Sequence, residues 1–596
     1  MLSSRLNSSF RQSNSRVRSR RAMALLVVMV LTMLIALGAY RYSFTMQAQY
    51  RVTRIYEEQA QARLSALSGL ELAAAILENP LQQRQFAGGV ENNSTFFQHI
   101  AVGDDSQRPD AASAVVDDLS SQWRVSLLAP SAGGTTSEIG LSNSADAEGG
   151  QALIGVRFGL ENQSAKLHIP TLLQWEKQLP GHARATLMRL PQAESGPVDD
   201  WLRRHGISSS GSVAGESRLM DRMESNTSAD DQGESRDWFR MQWLGGDLNQ
   251  NYRLDTLELM IAESLRGDVL GGSGSATQLG SDASLSGNAP LAWQHFLSWH
   301  NGERNESVTG RPRVYLNADD LRGLHRELLT IWPVDWANFV IALRQYGPGE
   351  KVAVAGSPVD SSSGSSTSSS SALASTPDIT AGGWTPDFSK SSRFRLTSVL
   401  DLVDVQLSVP NDNADGEGSL AGSTSQGAGA KNRQLRSPFS SESTVGGDYN
   451  ERILDETTIE TSASRVGRVD VRQAPLEVLA GVPGIDQQLA QQIVTARDMA
   501  NGASGSAPGS RRNSIAWLLS EGLVDLDRLK QLEPYLTYRS DVYRTQAIGY
   551  RDSFTPVYRC TAVIDARQLP AQIIDHQTWH AWDRGFPIEQ FATEVQ

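Results

Sequence analysis

Cysteine is almost missing from this chain: its 596 residues contain one, Cys560. No disulfide can form within the chain, and no cysteine-based zinc cluster can be built. Cys560 lies in an alternating apolar run, where a small buried hydrophobe is expected. Catalytic signatures are missing as well. The sequence has no G-x-S-x-G, no H-E-x-x-H, no P-loop and no Rossmann glycine pattern. Its nine histidines are scattered; His295 and His300 stand five apart and His325 is alone on a helical run. They read as core or surface residues, and the chain as a non-enzyme. Positive charge is in deficit, with 54 Lys+Arg against 67 Asp+Glu and a formal charge of −13. Such a chain repels nucleic acid at long range. Hydrophobic residues make up 39%, low for one packed body of this length, and Gly/Ser-rich stretches account for the shortfall.

The positive charge that exists is concentrated at the start. Arg5, Arg11, Arg16, Arg18, Arg20 and Arg21 precede Met23 with no acid among them. Met23 to Ala39 is then apolar apart from Thr32 and Gly38. At ~1.5 Å per residue this run spans roughly 25 Å, a little short of the ~30 Å hydrocarbon core. Tyr40 and Tyr42 mark an interface and Arg41 can snorkel. The positive-inside rule places the arginine leader in the cytoplasm and everything after Tyr42 outside. A cleaved secretory signal is the rival reading, but no A-x-A site follows the run. The apolar run does not end in a loop. Thr45 to Glu78 has no Gly or Pro except Gly69, and Ala62, Ala66, Gly69, Ala73 and Leu77 recur at helical spacing. Asn79-Pro80 stops the pattern. One helix over 23–80 is expected, about 84 Å long from Met23 to Glu78, apolar first and amphipathic afterwards.

Beyond it, 81–170 carries strand-like runs at Gln122–Leu128 and Ala152–Leu160. The segment 171–346 reads as a mostly helical insertion, with two short helices in Leu172–Leu190 broken at Pro180-Gly181. Trp238–Leu265 and Ala292–Tyr346 look folded, and Trp332 and Trp336 read as core. Ser208–Glu234 is polar enough to be disordered, and Gly271–Gly287 interrupts the pattern. The segment 347–465 is expected to be flexible linker, with Ser357–Ser371 and Asn411–Asp448 around one alternating stretch, Arg393–Pro410. The segment 466–540 holds a helix-hairpin-helix pattern, and 541–596 a β-hairpin of Val542–Tyr550 and Val557–Asp565, then a tail. The fold class is therefore α+β.

Two motifs invite a ligand. Asp247-Leu-Asn249-Gln-Asn251-Tyr252-Arg253-Leu254-Asp255-Thr-Leu-Glu258 puts side-chain oxygens at loop positions 1, 3, 5, 9 and 12, an EF-hand-like calcium spacing, with Arg253 offering its backbone carbonyl. Tyr252 stands where glycine normally supplies a positive φ, at a cost of about 1 kcal/mol. The alternative is a polar turn. The second is Pro475–Ala480, Gly481-Val482-Pro483-Gly484-Ile485 and Asp486–Arg497. Such hairpins often hold DNA phosphate through glycine amides and nearby Lys or Arg. Here Asp486, Gln487, Gln488, Gln491 and Gln492 occupy the second helix, and its first basic residue is Arg497. A structural hairpin is expected.

The leader and helix carry a family resemblance. Arg20-Arg21-Ala22-Met23, a basic leader and a small residue before an uninterrupted apolar helix, resembles a class III prepilin peptidase site cut after Ala22. The family usually has Gly there, and an uncleaved signal anchor is the alternative. Ala22–Val28 resembles the mature start of the minor pseudopilin K family of type II secretion. Like that family it lacks the glutamate of most pilins, here replaced by Val27. Ser68–Leu77, Arg184–Arg204, Arg313–Asn317 with Leu321, Gly467–Arg497 and Ala516–Gly549 resemble further segments of the family; Gln192 departs from a common glycine. The resemblance implies a pilin-like fold with a large helical insertion and a site at the filament tip. It also implies an inner-membrane, single-pass location with a periplasmic body. Implied partners are other minor pseudopilins, the inner-membrane secretion platform, prepilin peptidase and secreted substrates. Calcium sites in the family's helical head support the loop reading by resemblance only. The alternative function is a membrane-anchored DNA-uptake protein using the hairpin.

Overall fold

The opening of the chain dictates the architecture, because one helix connects two environments. In the computed structural model, described for residues 14–102, 122–130, 151–152, 156–207, 243–244, 247, 250, 253–254, 292–349, 384–410, 432–441, 446–502, 514–551 and 557–579, this helix runs unbroken from Asn14 to Glu78. Every side chain from Met23 to Gln61 is exposed except half-buried Glu58. The apolar part is long enough to cross a membrane. From Ala62 onward the helix becomes part of a core: Ala62, Ala66, Leu70, Ala73 and Leu77 are fully buried. The chain turns at Asn79-Pro80, and Leu81–Phe86 forms a short second helix.

The buried stretch lies on a seven-stranded sheet. Its main path runs Ile100–Ala101, Arg124–Pro130, Val542–Tyr550, Tyr558–Asp565 and Gln572–Trp579; Val156–Phe158 pairs with Arg124–Pro130, and Glu161–Asn162 with Val542–Tyr550. All these pairings are antiparallel. The sheet therefore closes residues from before position 163 against residues from after position 541. Helix and central strand approach closely. A Cβ on Gly549 would lie 2.0 Å from the Ala62 carbonyl oxygen, and one on Gly69 2.5 Å from Val125 Cγ2. Only glycine allows this separation, and small residues at helical spacing on the other side match it. Cys560 lies fully buried in this core, where burial pushes its thiol up to about 12.

The residues between the two halves of the sheet build a second, mostly helical core. It gathers Ile169–Gln178, His182–Leu187, Ser195–Arg204, Leu321–Leu328, Val334–Tyr346 and Gln487–Gly502 around Trp293, Phe339, Leu400 and Trp517. The break expected at Pro180-Gly181 is present, with Gly181 at φ +88°. Trp332 is buried and meets Trp336 edge-on at 5.8 Å. His325 pairs with Asn338 Oδ1 at 2.8 Å.

Several expectations need correction. The run expected at Gln122–Leu128 is a strand at Arg124–Pro130, two residues later, and that at Ala152–Leu160 splits into Gln151–Ala152 and Val156–Phe158. Within Arg393–Pro410 only Gln406–Pro410 is a strand. Ser398 and Asp401 form a capping box that turns Val399–Leu402 into a 3₁₀ helix instead. The segment 347–465 is not linker throughout. Asn432–Arg436 pairs in register with Gln406–Pro410, burying Leu435, and Gly446–Glu456 is a helix burying Ile453. The C-terminal hairpin has a third strand, Gln572–Trp579, whose polar composition hid it. Ser208–Glu234, Gly271–Gly287 and Ser357–Ser371 lie outside the described residues.

Candidate functional site

Four places have chemistry to consider: the start of the long helix, the junction between helix and head, and the two loop motifs. At the start, the helix passes through Ala22 and Met23 without interruption. Met23 is 74% exposed and Val27 60%, both within the apolar stretch of the helix.

The junction is a buried ionic belt that no local pattern announces. The end of the long helix has no basic residue in its last turn. Arg304 supplies the charge from elsewhere, donating to the carbonyls of Leu77, Glu78 and Asn79 at 3.3–3.4 Å. A cation at this end satisfies orphan carbonyls and the negative pole of the helix together. Fully buried Asp541 organises the rest. It accepts from Arg84 Nη2 at 2.6 Å, from the Arg304 amide at 2.7 Å and from Arg539 Nη2 at 3.2 Å. Burial opposes its charge, but Arg539, Arg84 and Arg304 override this and hold the carboxyl well below the usual range. Glu306 bridges Arg304 and Arg539 at 3.2 and 3.1 Å. Arg468 joins Glu460 at 2.6 Å and Glu533 at 3.1 Å. Arg313, pressed by burial and by neighbouring Arg465, drops to about 9. Each ion is expensive to bury and each is paired, so removing one partner leaves an uncompensated charge. The belt ties the helix end, the sheet and the helical head into one body.

Of the calcium loop, Asn249, Asn251, Tyr252, Asp255 and Glu258 lie outside the described residues. Asp247 is buried, and Arg253–Leu254 pairs with Gln151–Ala152. Gln250 is buried at φ +53°. Its side-chain oxygen accepts from Arg544 at 2.7 Å and its carbonyl from Gln546 at 3.1 Å. The start of the loop is thus docked on the central strand. Among the described residues there is no group of three or more His, Cys, Asp or Glu that could hold a metal.

The hairpin forms as Leu476–Leu479 and Gln487–Gly502. Gly484 sits at φ +86°, and Asp486 caps the second helix by accepting from the Leu489 amide at 2.8 Å. Pro483 and Ile485 are buried. Sequence spacing missed one cation. Arg528, on the helix Leu526–Leu532, donates to the Gly484 carbonyl, and Leu532 Cδ2 would lie 3.2 Å from a Cβ at Gly484. The helix Leu526–Leu532 therefore packs against the glycine turn. Arg497 is spent on the Ala474 carbonyl at 2.7 Å. No known family, curated protein or solved structure matches this chain.

Proposed function

We propose that this chain is a membrane-anchored, non-enzymatic subunit of a pilus-type secretion filament, similar to the minor pseudopilin K of type II secretion. The observation that carries the reading is the single helix with two surfaces. Its first part exposes an apolar surface, and its last turns form the core of a sheet built from both ends of the body. That combination suits a pilin-like subunit, whose helix packs in a fibre while its head stays outside. The anchor lies in the inner membrane, with the Arg-rich leader cytoplasmic and the body periplasmic. Prepilin peptidase removes the leader after Ala22. Val27 offers no carboxylate to the N-terminal amine of a subunit ahead, whereas the amine of Met23 can accept one from a subunit behind. The large head and Val27 together favour the leading end of the filament, with other minor pseudopilins and the secretion platform as partners and secreted proteins as possible cargo. Calcium at Asp247, Asn249, Asn251, Arg253, Asp255 and Glu258 would stabilise the head by mass action. The alternative, a DNA-uptake protein using Pro483, Gly484 and Ile485, is weakened by the engagement of Arg528 and Arg497 with carbonyls.

Crosslinking from photoreactive residues at Met23 and along Thr45–Gln61 in the native membrane tests the position. The tip reading expects adducts with pilin-type subunits on one side only. Adducts on both sides in many copies contradict the tip, and none at all contradicts filament membership.

A further inference from the structure

We propose that the outer edge of Asp575–Trp579 docks an extended segment of another polypeptide, adding a strand to the sheet, and that this segment carries a cation where it faces Asp575. The inference does not depend on the filament reading. The two edges of the sheet are finished differently. On one side, Arg124–Pro130 is covered by the short strands Ile100–Ala101 and Val156–Phe158. On the other, Gln572–Trp579 is eight residues long and, among the described residues, pairs only with Tyr558–Asp565. The register shifts at Val563/Ile564, so Asp575 opposes Val563 and Ile573 opposes Ile564. Ile574 is the extra residue of this irregularity. From Asp575 to Trp579 the ladder is regular, and that stretch has no proline, lysine or arginine. Of the protections an edge strand can carry, proline and basic side chains are absent from this stretch, and the bulge at Ile574 lies just before it.

An antiparallel edge turns both the N–H and the C=O of alternate residues outward. Two or three of the five residues therefore present paired donors and acceptors at strand spacing. An extended backbone fits this row; a helix or a small molecule does not. In strand addition, main-chain bonds supply affinity and alternate side chains supply selectivity. Asp575, Gln577 and Trp579 share one face of the strand. Trp579 is held by its Nε1–H, which donates to Thr561 Oγ1 at 2.9 Å. Asp575 is the only acidic residue of the five, so a lysine or arginine opposite it is preferred.

The test is residue-resolved hydrogen exchange on the full chain in detergent. The probe is a synthetic heptapeptide of alternating threonine and valine with a central lysine; the control has every backbone amide N-methylated. Without peptide, alternate amides within Asp575–Trp579 should exchange quickly. Millimolar probe should slow them at least tenfold and the control should not. Asp575→Lys should reverse the preference toward the same peptide with a central glutamate. Uniformly slow amides without peptide would mean that this chain already covers its own edge, and would overturn the proposal. Equal slowing by the control, or none by the probe, would overturn it too. An unchanged preference in Asp575→Lys would refute the assignment of the cation.

Discussion

The two halves of the long helix follow opposite rules. From Met23 to Gln61 the side chains are large, varied and exposed; from Ala62 to Leu77 the inward positions are small and fully buried. Among the described residues, nothing packs on the first half closely enough to limit side-chain size. The second half meets a β-strand so closely that Gly549 has no room for a methyl group. One continuous helix can carry both because helix formation needs only unbroken backbone hydrogen bonding. Which surface it presents is left to the side chains. The difference predicts where substitution is costly.

The sharpest break comes from Asp541, whose partners hold both the second helix, through Arg84, and the end of the long one, through Arg304. Asp541→Asn takes the carboxylate from buried Arg84 and leaves Arg304 and Arg539 with Glu306, and should cost about 4 kcal/mol in urea unfolding of the full chain. Gly549→Val should cost about 3 kcal/mol, since the strand must move off Ala62. Leu34→Ala, on the exposed half, should shift unfolding by less than about 0.5 kcal/mol. Equal effects from Gly549→Val and Leu34→Ala would erase the distinction between the halves.

Acid should separate the packed body from the anchor as well. Burial, against a hydrogen bond to the Trp299 carbonyl, brings His168 down from 6.5 to about 4. A lowered histidine gives stability that is full above its unfolded value and lost as pH falls from 6.5 toward 4. Asp541 has a lowered carboxyl, so its contribution holds above about 3.9 and disappears in stronger acid. Urea midpoints at several pH values should thus fall in two stages. His168→Gln should flatten the first and Asp541→Asn the second. Calcium should act on the packed head alone. Millimolar calcium should raise the melting temperature of the head by a few degrees relative to chelator, on the order of 1–2 kcal/mol, and Glu258→Ala should abolish the rise. Coincident melting curves would leave the loop as a turn.

The helix was legible because its signals are local: an apolar run, alanines at helical spacing, then Asn79-Pro80. The strands Val542–Tyr550 and Tyr558–Asp565 were legible by alternation and lie where alternation puts them, within one residue. The third strand was not, since Asp575, His576, Gln577 and Thr578 give no apolar alternation and the backbone ladder alone makes it a strand. Asn432–Arg436 was hidden in a low-complexity stretch, where only Leu435 and Phe439 betray packing. The ionic belt was illegible for a different reason. Arg84 and Asp541 are 457 residues apart, and nothing near either residue announces the other. Arg528 at Gly484 is hidden in the same way: along the chain the hairpin's first cation is Arg497, but the one at the glycine turn arrives from another helix.

The central claim is that the exposed half of the helix belongs to a processed filament subunit and not to a plain membrane anchor. The most direct measurement is the intact mass of the full protein extracted from its native membrane. The account predicts a mature chain that begins at Met23, with or without N-methylation. A mass that retains Met1 and the arginine leader would contradict it.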